Sequence, residues 1–196
     1  MINIDSTNYK ISIGKYAFTA LNEFLSQNIY SNIFLLVDEK TIKYCLPELV
    51  VKVPKLEKAE IIETESGEVN KTIEVCVQIW RVLTELKADR KSLLINLGGG
   101  VISDMGGFAA ASYKRGIDYI NIPTTLLAQV DASVGGKTGI DLDNFKNQVG
   151  FFSNPKAVFI YPPFLNTLSK RLILSGFAEI IKHALIADAV YWSELK

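Results

Sequence analysis

The stretch Asn32-Ile33-Phe34-Leu35-Leu36-Val37 is apolar from its second residue to its last, with no polar alternation. A strand with one wet face alternates apolar and polar residues. An unbroken run instead predicts a strand buried on both faces, as in a parallel sheet covered by helices. Ser92–Leu97 repeats the pattern and runs directly into Gly98-Gly99-Gly100. Between the two runs, Val69, Ile73, Cys76, Trp80 and Leu83 step by four and three, which predicts one long amphipathic helix.

The rest of the chain fits the same alternation. Tyr9–Ile13 predicts a strand ending at Gly14, and Phe18–Leu25 a short helix. Thr41–Leu46 predicts a helix stopped by Pro47, and Ala59–Ile62 a weaker strand. The Ala-rich segment Val101–Ser112 predicts a helix, Tyr119–Ile122 a strand closed by Pro123, and Val158–Tyr161 a last strand before Pro162-Pro163. From Ser169 the pattern is wholly helical. Strands alternating with helices predict an α/β fold: a mostly parallel, Rossmann-like sheet with helices on both faces. The expected organisation is an α/β domain over 1–168 and the start of an α-helical second domain over 169–196. Those last 28 residues are too few for a core of their own, so the sequence reads as part of a longer chain.

Charge and cysteine content narrow the function. Lys plus Arg and Asp plus Glu each total 21, so no broad basic field exists to hold nucleic acid or an anionic membrane. A local phosphate site needs only a few cations and backbone N–H groups, and stays open. Cys45 and Cys76 lie far apart and fit no zinc spacing, which predicts free buried thiols in a reducing compartment. Met1–Lys10 is polar, with no signal-peptide core, and no apolar run reaches the roughly 18 residues of a membrane span. The expectation is a cytoplasmic protein.

Two segments carry candidate chemistry. Gly98-Gly99-Gly100 joins a buried strand to a helix, where glycines allow close approach and the helix start offers free N–H groups to a diphosphate. Ser103 occupies the place of the third glycine of the dinucleotide fingerprint, so a tight turn without a ligand is an equal reading. Gly106-Gly107, one turn on, predicts close helix–sheet packing. The segment from Pro123 to Thr138 gathers hydroxyls, Asp131, two glycines and Lys137. Gly136-Lys137-Thr138 looks like the end of a P-loop, but Asp131 stands where that loop needs glycine, which disfavours nucleotide hydrolysis. What remains is a site where Lys137 meets phosphate or carboxylate and Asp131 meets hydroxyls. Arg115, Lys146 and Asn147 add donors for a polyhydroxylated anion.

Taken jointly, these motifs resemble the dehydroquinate synthase family. The resemblance rests on Gly98–Asp104, Gly107–Gly116, Pro123–Thr138, Lys146-Asn147 and Ser175–Lys182, in order and spacing from about residue 65 to 190. It implies an NAD-dependent and divalent-metal-dependent enzyme, with zinc or cobalt, that converts 3-deoxy-D-arabino-heptulosonate 7-phosphate to 3-dehydroquinate and phosphate. It also implies a homodimer formed through this domain. By resemblance, Asp38 meets the adenine ribose, and Ser66, Gly67, Glu68 and Lys71 form an adenosine-side loop. Gly99, Gly100, Val101, Ile102, Ser103, Asp104, Thr124, Thr125, Lys137 and Lys146 match further cofactor contacts, as do Phe164, Leu165, Asn166 and Thr167. Arg115, Asp131, Lys137, Asn147 and Lys182 match substrate contacts, and Glu179 a metal ligand. The sequence departs from the family at Asp141 and Phe145, where Asn and Gly are frequent.

The helix with Glu179 reads differently from its residues alone. Ile173, Phe177, Ile180 and Ala184 form its apolar stripe, and Glu179 and Lys182 form an ion pair turned away from it. Glu179 and His183, four apart, could share a metal, but two ligands make a poor site where catalytic zinc takes three, so His183 is expected to be a neighbour and not a ligand; the resemblance implies two further histidines from the second domain. The chain alone is therefore expected to bind NAD without turning over substrate. Rival readings are another sugar phosphate cyclase, a metal-dependent polyol dehydrogenase of similar fold, and a cofactor-binding, dimerising module without activity.

Overall fold

The computed structural model describes residues 2–6 and 8–196. Among the described residues, nine strands form two sheets. The main sheet contains β1 (Ile2–Asp5), β2 (Lys10–Ile13), β3 (Ile33–Asp38), β4 (Glu60–Thr64), β5 (Leu93–Gly98), β6 (Asp118–Pro123) and β9 (Ala157–Ile160), in the order β1-β2-β9-β6-β5-β3-β4. All pairs are parallel except β1–β2. The unbroken apolar runs behave as expected. Leu35, Val37, Leu93, Ile95 and Leu97 enter one core, while Phe34, Leu36 and Leu94 enter the other.

Helices α1 (Ala17–Gln27), α2 (Glu39–Tyr44) and α3 (Leu46–Lys52) supply the first core; α4 (Ile73–Glu85) and α5 (Gly100–Ser112) supply the second. Pro47 does not stop a helix. It sits in the first turn of α3, where its missing N–H costs nothing. The long helix begins at Ile73, later than the apolar stepping suggests: Val69 is 84% exposed in a preceding turn. Both thiols are free and buried.

The sequence reading missed a second sheet. β7 (Lys137–Leu142) and β8 (Phe145–Phe152) form an antiparallel hairpin that lies over α5, with Phe151 stacked on Phe108 at 5.4 Å. This explains the small residues of α5, which is covered on two sides. A Cβ on Gly106 would stand 2.0 Å from Asn96 Oδ1 in β5, and one on Gly107 2.4 Å from Thr138 Cγ2 in β7.

From β3 the chain proceeds to β4 on one side, and then returns to β5 on the other. Such a reversal opens a crevice at the carboxyl ends of the two central strands. Those ends are Asp38 and Gly98. After β9 the chain becomes helical, in α6 (Lys170–Ala187) and α7 (Ala189–Glu194).

Candidate active site

A cleft of about 550 Å³ opens at that crevice. Its lining comes from five stretches, four that end or follow strands and one inside β8: Asp38; Ser66, Gly67, Glu68 and Lys71; Gly99, Gly100, Val101, Ile102 and Asp104; Thr124 and Thr125; Lys146 and Asn147. Thr167 joins them from the segment before α6. Residues predicted from separate motifs thus line one cavity. Thr41, Tyr44, Cys45, Leu127, Leu168 and Leu172 also line it. Apart from Leu127, which lies within Pro123–Thr138, no motif marks these, because they reach the cleft through the placement of helices and turns and not through a polar pattern.

The floor is the start of α5. Gly99 is its N-cap and no side chain caps it, so the first backbone N–H groups lack an intrahelical partner. A Cβ on Gly99 would come to 3.0 Å from Thr125 Cγ2, and one on Gly100 to 3.3 Å from Ala132 Cβ. Their lack of side chains keeps this cradle open. Asp38 caps α2 at the wall, where its Oδ1 accepts from the N–H groups of Lys40 and Thr41 at 3.0 and 2.8 Å. Glu68 and Lys146 pair across the mouth at 3.1 Å. At the inner end, the Lys71 ammonium meets Asp104 at 2.6 Å. Burial raises the Asp104 carboxyl pKa above the usual range, and the attraction of Lys71 offsets this only in part.

A second cluster lies where α6 docks. Gly176 lets the helix approach the Leu126-Leu127 backbone: a Cβ there would stand 2.5 Å from Leu127 N. The face bearing Gly176, Glu179 and His183 therefore packs inward, against the π-type turn Ala128–Ala132 that carries Asp131. The expected stripe is wrong in this respect: Phe177 is exposed, and the Glu179 side chain is only 18% exposed. A glycine at close approach, which a hydrophobicity pattern does not register, decides the docking face. His183 Nε2 lies 3.2 Å from Glu179 Oε1 and 3.4 Å from Asp131 Oδ1. Glu179 also accepts from Lys182, which lowers its carboxyl pKa and raises that of Lys182. Asp131, Glu179 and His183 each offer one ligand atom, all within 4.8 Å of one another.

The remaining predicted residues lie elsewhere. Arg115 lines a separate depression with Asp89, Arg90, Lys91 and Lys114. It follows the far end of α5, about 18 Å along that helix from the glycine turn. Lys137 is exposed at the start of β7, outside the cleft. Ser103 is buried in α5 and does not line the cavity. Phe164 does not face the cleft: it is fully buried with Phe18 and Tyr161, at ring distances of 5.7 and 5.2 Å, because the turn Pro162–Thr167 directs it into the core. Leu165 and Asn166 also lie outside the lining.

Known proteins resemble this chain in sequence and fold. A 3-dehydroquinate synthase from Parabacteroides distasonis is 52% identical over 179 residues, covering 91% of this chain and 50% of that protein. The chain spans about half the length of the curated relatives it matches. Among solved structures, 2-deoxy-scyllo-inosose synthase complexed with carbaglucose-6-phosphate, NAD+ and Co2+ matches with a TM-score of 0.83 at 25% identity, covering 91% of this chain and 49% of that one. A 2-epi-5-epi-valiolone synthase from Streptomyces hygroscopicus with NAD+ and Zn2+ bound matches with a TM-score of 0.81 at 26% identity, covering 96% and 52%. The family model described as 3-dehydroquinate synthase N-terminal matches residues 61–175, more than half of the sequence, and the chain belongs to that family.

Proposed function

We propose that this chain is the NAD-binding part of a 3-dehydroquinate synthase, acting in aromatic amino acid biosynthesis. The substrate is 3-deoxy-D-arabino-heptulosonate 7-phosphate, and the products are 3-dehydroquinate and phosphate. The observation that carries the reading is the single cleft lined from five separated stretches, at the crevice where an α/β sheet takes a dinucleotide.

The residues fit both groups the reaction needs. For NAD, the uncapped start of α5 and the open glycine cradle suit the diphosphate, and Asp38 suits a ribose hydroxyl. Bound there, NAD supplies reversible hydride acceptance at a ring carbon of the substrate. For a divalent metal, zinc or cobalt, Glu179 is the proposed carboxylate ligand. Its neighbours Asp131 and His183 offer donors at spacings like those between ligands around zinc, roughly 3.4 Å for bonds of about 2.1 Å. The metal supplies Lewis acidity toward hydroxyl and carbonyl oxygens. Asn147 donates to substrate oxygens, Lys182 balances anionic charge, and Asp131 accepts from a hydroxyl. Lys137 and Arg115 keep a substrate role only by the family resemblance, since neither lines the cleft.

Partners and location follow the same reading. Exposed Ile2, Ile4, Phe145 and Phe152 (the last at 92%) support a homodimer through this domain. No helix among the described residues is long and apolar enough to cross a membrane, and the zero net charge argues against nucleic acid. Two free buried thiols support a cytoplasmic setting.

The test uses the full-length enzyme with the heptulosonate phosphate. Phosphate release without NADH accumulation is expected; net NADH production would point instead to a polyol dehydrogenase. Release only from other sugar phosphates would point to a sister cyclase. The 196-residue chain alone is expected to release none.

A further inference from the structure

Among the described residues, Lys71 is the one charged residue that is buried, at 3% exposure. Its ammonium donates to Asp104 Oδ2 and to Asn147 Oδ1, each at 2.6 Å. Its backbone carbonyl accepts from the N–H of Asp141 at 2.8 Å. Asp141 Oδ1 in turn accepts from the N–H of Asn147 at 2.8 Å. The three contacts close a ring: Lys71 side chain to Asn147, Asn147 backbone to Asp141, Asp141 backbone to Lys71.

The ring fixes two properties of Asn147. Its backbone sits at φ +55°, in the left-handed region that Asn tolerates better than most non-glycine residues, and the bond from its N–H to Asp141 Oδ1 holds it there. Its amide orientation is set by chemistry. An ammonium has donors and no acceptor, so Asn147 can meet Lys71 only through Oδ1. The amide NH2 is then turned away from Lys71, on a residue that lines the cleft beside Lys146.

We infer that Lys71 is a positioning residue that presents Asn147 to the cleft as a donor group, and so selects for ligand oxygens that accept: hydroxyl, carboxylate or phosphate. Through Asp104 it also ties the β7–β8 hairpin to α5, which starts at the glycine turn. The role for Asn147 rests on the proposed function; the ring does not.

The experiment is residue-resolved amide hydrogen exchange on the ligand-free 196-residue chain. Lys71→Met removes neither donor nor acceptor of the Asn147 N–H bond, yet it is expected to speed exchange of that N–H by about tenfold or more, because the ring opens. Lys71→Arg, which keeps charge and donors, is expected to restore most of the protection. Should Lys71→Met fail to fold, the ring can be opened from its exposed side. Asn147→Ala is then expected to speed exchange of the Asp141 N–H, and Asn147→Asp, which still accepts from Lys71, to restore it. Unchanged exchange, within about twofold, in whichever of Lys71→Met and Asn147→Ala folds would overturn the inference. Parallel titrations with NAD+ and inorganic phosphate separate the two readings. A chain that binds neither contradicts the proposed function, while the exchange data still decide the ring.

Discussion

Replacing Gly176 by alanine sets two effects of opposite sign against each other. Gly176 lies inside α6, where alanine is favoured by about 1 kcal/mol on helix propensity alone. The added Cβ, however, would stand 2.5 Å from Leu127 N and 2.6 Å from Leu126 Cβ. Ordinary contact begins near 3.4 Å, so the helix must retreat by about 1 Å from a backbone atom that cannot rotate aside. Overpacking of this kind costs about 1–3 kcal/mol. The expected net result is a loss of up to about 2 kcal/mol, a fall in Tm of several degrees at this chain length. The retreat also carries His183 away from Asp131, now 3.4 Å apart, so cobalt affinity should fall with stability. Thermal melting and titration with Co2+ followed by visible absorption read both effects. A Tm raised by about 2–4 °C with unchanged cobalt binding would show that propensity dominates, and would refute close approach as the device that sets the site.

Other substitutions separate the remaining roles. Lys146→Ala should weaken NAD+ binding several-fold yet cost little stability, because its pair with Glu68 is exposed; Lys137→Ala should leave NAD+ affinity within about twofold and lower only full-length activity, since Lys137 lies outside the cleft. Equal losses of affinity in both variants would contradict that division. Glu179→Gln should lower the metal content of the dialysed full-length enzyme, measured by elemental analysis, while wild-type content in the variant would remove Glu179 from the ligand set. Burial pushes the Cys45 and Cys76 thiols up to about 12. Above the ordinary thiol pKa the unfolded chain loses these protons and the folded chain keeps them, so stability should fall with rising pH by up to about 1.4 kcal/mol per unit per thiol. Melting between pH 8 and 11 should show the decline, and Cys76→Ala should make it shallower; identical slopes would contradict buried, protonated thiols.

The legible part of the fold was the part set by burial pattern. Runs such as Ile33–Val37 have one reading, and the crevice follows from strands that end at Asp38 and Gly98. The hairpin Lys137–Phe152 was not legible. Its outer strand is exposed along its length and mixes Lys146, Asn147 and Gln148 with Phe151 and Phe152, so it follows neither alternation nor a buried run. Its inner strand opens with the residues that looked like a phosphate loop. The cleft residues with motif signatures were legible, but Cys45 and Leu172 were not, because helix docking brings them there. Phe164 lies outside the lining for the converse reason: its segment reaches the cleft only at Thr167, while its ring completes an aromatic cluster in the core.

Calorimetric titration of the 196-residue chain with NAD+ tests the dinucleotide cleft most directly. The expected result is saturable one-to-one binding with a Kd below about 1 mM, a binding free energy stronger than about −4 kcal/mol. A chain that melts cooperatively, and is therefore folded, but shows no saturable heat up to several millimolar NAD+ would contradict it.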